Sequence, residues 1–181
     1  MKIDLQETIE LPSGVSASFQ GSLLSIKGPK GEVQREFFYP RIAIVVEQGK
    51  LVISSPHATK REKTILGSFT AHIKNMVSGV QEHYVYKLKI CSGHFPMSVT
   101  VAGKEFVIKN FFGETVPRKM FIPQGVKVEV AGTDIIVSGP DKEHVSQMAA
   151  SIEQLCRISN RDIRTFQDGC YIVQKAGKGV V

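Results

Sequence analysis

"IPQGVKVEVAGTDIIVSGP", residues 122–140, has a near relative earlier in the same chain, "LPSGVSASFQGSLLSIKGP" at residues 11–29. Pro123 stands 111 positions after Pro12, and the same offset carries Gly14 to Gly125, Val15 to Val126, Gly21 to Gly132, Leu24 to Ile135, Ile26 to Val137, Gly28 to Gly139 and Pro29 to Pro140. Each copy reads as strand, tight turn, strand. "VSASF" and "LLSIK" flank Gly21, "VKVEV" and "DIIVS" flank Gly132, and glycine supplies the positive φ where the chain reverses. The Gly-Pro that follows stops the second strand, because proline has no N–H to give a ladder. Repeated punctuation alone does not account for the matched aliphatic positions, so the echo reads as a duplication.

A second echo points the same way. "LVISSP" at 51–56 lies 84 positions before "IIVSGP" at 135–140, and a helical pattern follows each. After Pro56, Thr59 and Glu62 form a T-x-x-E capping box; Leu66, Phe69, Ile73, Met76 and Val77 recur at three- and four-residue spacing, and Gly79 is expected to stop the helix. After Pro140, Asp141 caps a helix whose Val145, Met148, Ala149, Ile152, Leu155 and Cys156 make one apolar face. The remaining strands are expected at "VQREFF", "RIAIVVEQ", "HYVYKLKIC", "MSVTVAG" and "KEFVIKNFF". The fold class is therefore α+β: two tandem duplicated domains, each a small antiparallel or mixed sheet with one packed helix. The boundary falls near Val80 to Glu82, giving a first domain of residues 1–82 and a second of residues 83–181 that ends in an extension.

The chain has 181 residues, 42% hydrophobic and 22% charged, a globular composition. Lys plus Arg number 23 against 17 Asp plus Glu, a formal net charge of +6 that suggests an anionic partner. The first 82 residues hold 10 basic and 8 acidic groups and the rest hold 13 and 9, so the halves carry +2 and +4. Residues 157–181 set Arg157, Arg161, Arg164, Lys175 and Lys178 against Asp162 and Asp168, a local +3. No signal-like segment opens the chain, and its longest aliphatic run, "IAIVV", is too short to cross a bilayer; an intracellular, soluble, non-membrane protein is expected. Cys91, Cys156 and Cys170 form no C-x-x-C pair and read as free thiols in a reducing compartment.

Catalytic signatures are missing. There is no phosphate-binding G-x-x-x-x-G-K-[ST], no G-x-G-x-x-G and no H-E-x-x-H, so no cofactor and no metal are expected. His57, His72, His83, His94 and His144 are scattered over both halves. Asp162 and Asp168 sit among arginines, where a carboxylate more often orients a guanidinium than works as an acid or base. One enzymatic alternative uses Cys91 and His94 of "CSGHF" as a reactive pair in a cleft between the domains.

Nucleic-acid binding fits the residues better. Arginines in the weakly periodic "NRDIRTF" reach phosphates, and Phe166 and Tyr171 offer faces to bases or ribose; the plain alternative is a solvated charged edge. "QKAGKGVV" spaces two lysines by glycines that allow close approach to a backbone. Lys60, Arg61, Lys63 and Lys74 read as the solvated side of the first helix. A further alternative is a protein-interaction adaptor that presents Phe111 and Phe112 of "NFFGE", although adjacent phenylalanines at a strand end are more often core plus rim.

The duplicated strand-Pro-helix unit, "SVTVAGKEFVIKNFFGE" at 98–114 and "NRDIRTFQDGCYIV" at 160–173 together resemble the sixth protein of the large ribosomal subunit, the universal L6 family in its archaeal form. The resemblance covers nearly the whole chain. It implies a non-enzymatic, cytoplasmic ribosomal constituent that binds large-subunit ribosomal RNA, not DNA, chiefly through the second domain and its extension. It further implies a place near the sarcin-ricin loop and the stalk base, beside neighbouring ribosomal proteins and close to docking translational GTPases. The RNA surface it implies comprises Arg157, Asn160, Arg161 and Arg164 after the second helix, Lys175 and Lys178 in the tail, and Lys104, Lys109, Arg118 and Lys119 on the second sheet's loops. These residues would contact phosphates and 2′-hydroxyls rather than read base sequence.

Overall fold

Leu24 and Ile26 are fully buried while Leu23 and Lys27 beside them face solvent, and this period-two alternation commits one face of the strand to a core. The computed structural model describes residues 3–47 and 49–176, and the backbone of Lys178–Gly179. The chain divides into two compact units, Met1–His83 and Tyr84–Val181.

The first unit runs β1 (Ile3–Glu10), β2 (Ser16–Gln20), β3 (Leu23–Gly28), β4 (Gly31–Glu36), β5 (Ala43–Glu47), β6 (Lys50–Ala58) and α1 (Lys60–Gln81). Its two antiparallel sheets have the orders β1-β6-β5 and β2-β3-β4. Leu24, Ile26, Leu51, Ile53, Ile73 and Val80 make its core. Thr59 caps α1: its N–H donates to Glu62 Oε2 at 2.9 Å and its hydroxyl donates to the same oxygen. Gly79 does not stop this helix. It lies buried inside it, and the Glu82 N–H closes the end on the Ser78 carbonyl at 2.9 Å.

The second unit runs β7 (Tyr84–Cys91), β8 (Ser98–Ala102), β9 (Glu105–Lys109), β10 (Arg118–Phe121), β11 (Lys127–Ala131), β12 (Asp134–Gly139), α2 (Lys142–Leu155), β13 (Gly169–Lys175) and β14 (Lys178–Gly179). The orders β11-β12-β7-β13-β14 and β10-β9-β8 repeat both sheets of the first unit, with β13 and β14 added beside β7. Leu88 lies opposite Ile135 and Tyr86 opposite Val137, and these pairs pack under Val145, Met148, Ala149 and Ile152 of α2. Asp141 caps α2 by accepting the Glu143 N–H at 2.8 Å.

This topology corrects the first echo. β11 and β12 occupy the places of β5 and β6, so the 84-residue offset follows the duplication, whereas the 111-residue offset pairs β2–β3 with a hairpin from the other kind of sheet. The two hairpins look alike because they meet the same demands. Val15 and Val126 each donate to the carbonyl three residues back, at 3.1 and 3.3 Å. Gly21 and Gly132 turn at φ 64° and 62°. A Cβ on Gly28 would lie 2.8 Å from Val80 Cγ2, and one on Gly139 would lie 2.6 Å from the Gly125 carbonyl oxygen. Both glycines let the second strand press against its neighbours.

The expected strand "KEFVIKNFF" ends early, at Lys109. Asn110 (φ 59°) and Phe112 (φ 49°) turn the chain through a short 3-10 segment, Phe111–Gly113, that sends Phe111 into the core. β1, β10, β13 and β14 lie outside the strands that the sequence patterns mark. β1 buries only Ile9 in eight residues, and β10 is four residues long.

Candidate nucleic-acid interface

Residues 157–168 connect α2 to β13 without regular structure, yet three anchors hold them to the second unit. The first is Arg118 on β10. Its Nε and Nη2 donate to the Glu114 carboxylate at 2.8 and 2.6 Å, and its Nη1 donates to the carbonyls of Leu155 at 2.6 Å and Arg157 at 3.2 Å. The last carbonyls of a helix lack intrahelical donors and carry partial negative charge, so a guanidinium there caps α2. Its Cζ also lies 4.2 Å from the Phe111 ring centroid. Glu114 raises the Arg118 pKa above its ordinary value, and Arg118 lowers that of Glu114.

The second anchor is aromatic. Phe112 packs edge to face on Phe111 (4.9 Å) and Phe166 (5.8 Å), and Phe166 stacks beside His94 (4.9 Å). The Arg161 guanidinium lies between rings, 5.2 Å from Phe112 and 5.1 Å from Phe166, where the negative ring faces attract a cation.

The third anchor is Asp168. Buried at 3% exposure, it accepts the N–H groups of Gly93 (2.8 Å), His94 (3.1 Å) and Phe95 (3.2 Å) and faces His94 Nδ1 at 3.1 Å. Burial pushes its pKa up, but the convergent donors outweigh burial and hold it at about 2. Asp168 therefore fastens the loop between β7 and β8 and does not orient an arginine. Asp162 does: Arg164 donates to it from Nε and Nη2, both at 3.2 Å, and from its backbone N–H at 2.9 Å. Arg164 holds the Asp162 pKa below its ordinary value.

Of the expected contact residues, Arg157, Asn160, Arg161 and Arg164 come together on this one exposed segment, with Asn160 in the left-handed region at φ 59°. Arg157 has no side-chain partner among the described residues. Lys104 and Lys109 lie exposed at opposite ends of β9, and Lys119 pairs with Glu105 at 3.5 Å. Lys175 is exposed on β13, while the Lys178 side chain lies outside the described residues. Arg118 is no free phosphate ligand, because its nitrogens are committed to Glu114 and the end of α2. Phe166 is half-buried, packed by Phe112, His94 and Arg161, and its remaining surface faces a cavity. Phe111, at 2% exposure, is core.

Tyr171 is 40% exposed, with its hydroxyl donating to the Gln167 carbonyl at 3.1 Å. It lies opposite Lys89 in register, and Lys87 and Lys89 alternate outward along β7. The alternation of "KLKI" marks these two lysines as outward-facing, but charge clustering alone does not single them out. The Arg118 cap and the Asp168 fastening join residues far apart in sequence and carry no local signal.

The chain matches the ribosomal protein L6 family over residues 11–83 and 95–169, two segments that begin 84 residues apart. It belongs to the ribosomal protein L6 family. It is 47% identical over 173 residues to the large ribosomal subunit protein uL6 of Methanosarcina mazei, covering 96% of this chain and 98% of that one. It is 44% identical over 174 residues to the large ribosomal subunit protein uL6 of Methanococcus vannielii, covering 96% of each. This L6 chain is therefore of the archaeal type, a structural and non-enzymatic constituent of the large ribosomal subunit in the cytoplasm. Membership in L6 sets aside the Cys91–His94 enzyme and the non-ribosomal adaptor. No helix among the described residues is long and apolar enough to cross a membrane.

Proposed function

We propose that this chain binds large-subunit ribosomal RNA through the second of two domains, residues 1–82 and 83–181, with the segment from Arg157 to Arg164 as the principal contact. The observation that carries this reading is that a segment with three exposed arginines and no regular structure is held by Arg118, the Phe112–Phe166 stack and Asp168. Pre-organisation of this kind lowers the entropy cost of binding, since the loop needs no ordering when the phosphates arrive. Lys87, Lys89, Tyr171 and Lys175 extend the positive surface along β7 and β13, with Lys104, Lys109, Lys119 and Lys178 as outlying contacts. The RNA site is near the sarcin-ricin loop and the stalk base, beside neighbouring ribosomal proteins and where translational GTPases dock; the family resemblance supports this placement.

Gradient sedimentation with crosslinking tests it. The protein is expected to travel with large subunits through a low-salt wash, because many phosphate contacts act together. Crosslinks from the Arg157–Arg164 segment are expected in the sarcin-ricin region. Recovery only at the top of the gradient, or crosslinks confined to residues 1–82, would overturn the reading.

A further inference from the structure

Cys91, Cys156 and Cys170, far apart in sequence, line one cavity of about 1140 Å³ that opens beside the Arg157–Asp168 segment. Cys156 closes α2 at 5% exposure, and Cys170 sits fully buried on β13 packed against that helix. Both side chains belong to one buried core cluster and line the same cavity. The Arg118 guanidinium is fixed to the carbonyls of Leu155 and Arg157, the residues on either side of Cys156. The neighbouring Cys170 thiol and then that cation favour a thiolate at Cys156, against burial and the nearby negative charge of Glu153.

We propose that Cys156 and Cys170 form a peroxide-oxidisable dithiol whose disulfide staples the two ends of the arginine-bearing segment together. The Cys156 thiolate attacks hydrogen peroxide, breaking the O–O bond to give the sulfenic acid and hydroxide. The Cys170 sulfur then attacks the sulfenic sulfur, its proton leaves with the displaced hydroxide as water, and the S–S bond forms. Two thiols and one peroxide become one disulfide and two waters; the sulfurs lose two electrons and the peroxide gains them. The two positions bracket Arg157, Asn160, Arg161 and Arg164, so the bond closes a ring around the whole segment. Cys91 lines the same cavity but lies outside that ring, on β7 beside Gly169. The inference concerns thiol chemistry in the free protein and stands whether or not the segment binds RNA.

Treating the full chain with hydrogen peroxide and reading intact mass and digested peptides decides it. The mass is expected to fall by about 2 Da, with the Cys156 and Cys170 peptides joined and restored by dithiothreitol. Cys91→Ser is expected to keep this crosslink. Cys156→Ser and Cys170→Ser are each expected to abolish it, with Cys156→Ser also losing the early sulfenic acid that a dimedone trap captures in wild type. Should a serine variant fail to fold, the wild-type peptide map alone still decides. A crosslink through Cys91, stepwise oxygen addition without any crosslink, or no reaction would each overturn the proposal.

Discussion

The Asp168 carboxylate lies 3.1 Å from His94 Nδ1 and takes three backbone N–H groups from the same loop. An aspartate just before β13 therefore holds the loop between β7 and β8, and through the His94–Phe166 stack it holds the arginine segment as well. Asp168→Asn keeps the shape but replaces one accepting oxygen by a donor that faces N–H groups. A buried donor left without an acceptor costs about 1–3 kcal/mol. Chemical denaturation is expected to show a loss of that order, with faster amide exchange at Gly93, His94 and Phe95 and unchanged exchange in α1. Unchanged stability would mean that the carboxylate is not holding the loop.

Acid should weaken both units from the same cause. The Thr59 hydroxyl and N–H hold the Glu62 pKa down from 4.5 to about 2, with burial opposing and the Tyr39 hydroxyl adding to the depression. Asp168 falls from 3.8 to about 2. A depressed folded pKa gives stability that is full above the unfolded value and is lost as pH falls through the folded one. Urea midpoints are therefore expected to hold down to about pH 4.5 and then decline towards pH 2. Glu62→Gln should flatten the decline in probes of α1, and Asp168→Asn in probes of the loop between β7 and β8.

Much of this fold is legible locally. The capping box at Thr59 and Glu62, the Asp141 cap and both apolar helix stripes concern neighbours within one or two turns, and each stands as read. Gly79 departs from the expected stop because a glycine near the end of a periodic pattern ends a helix only if it takes a left-handed conformation, and here it stays helical on the buried face. The 111-residue echo is not the duplication, because two hairpins under the same packing constraint converge on the same letters. In the candidate site, the exposed arginines could be named from charge and lack of periodicity. The Arg118 cap, the Phe112–Phe166 stack and the three thiols in one cavity join residues tens of positions apart, and no spacing rule reaches that far.

Gly139 offers a test of the convergence. An alanine there would place its Cβ 2.6 Å from the Gly125 carbonyl oxygen and 2.9 Å from Val145 Cγ2. The carbonyl belongs to the backbone turn ahead of β11, so relief requires moving either that turn or the start of α2. Gly139→Ala is expected to cost about 1–3 kcal/mol, the range for overpacking. Gly103→Ala is a contrast, since no atom lies within 4 Å of a Cβ there and only the strain of its positive φ of 62° remains. Equal losses at the two positions would remove the close-approach explanation.

The RNA assignment is tested most sharply by separating arginines that hold the segment from arginines that face outward. Arg157 is exposed and unpartnered among the described residues, and Arg164 keeps its side chain 88% exposed while paired to Asp162. If each meets a phosphate, each lost contact lowers the salt slope of log K by roughly 0.7 to 0.9. Arg157→Gln with Arg164→Gln should then flatten the slope by about 1.4 to 1.8 and weaken binding to large-subunit RNA, with little change in stability. Arg118→Gln is the control, because it uncaps α2 and strands Glu114 while removing no outward cation; it should lower stability and leave the slope intact. Arg161 stands between the two classes, since its guanidinium holds the Phe112–Phe166 stack, worth about 0.5–1 kcal/mol at an exposed site, and also faces outward. Arg161→Gln should therefore lose both stability and slope. Glutamine is used rather than glutamate because it removes the charge without adding repulsion. An intact slope in the Arg157 and Arg164 double variant, with a flattened slope in Arg118→Gln, would reverse the assignment and put the RNA on β10 instead.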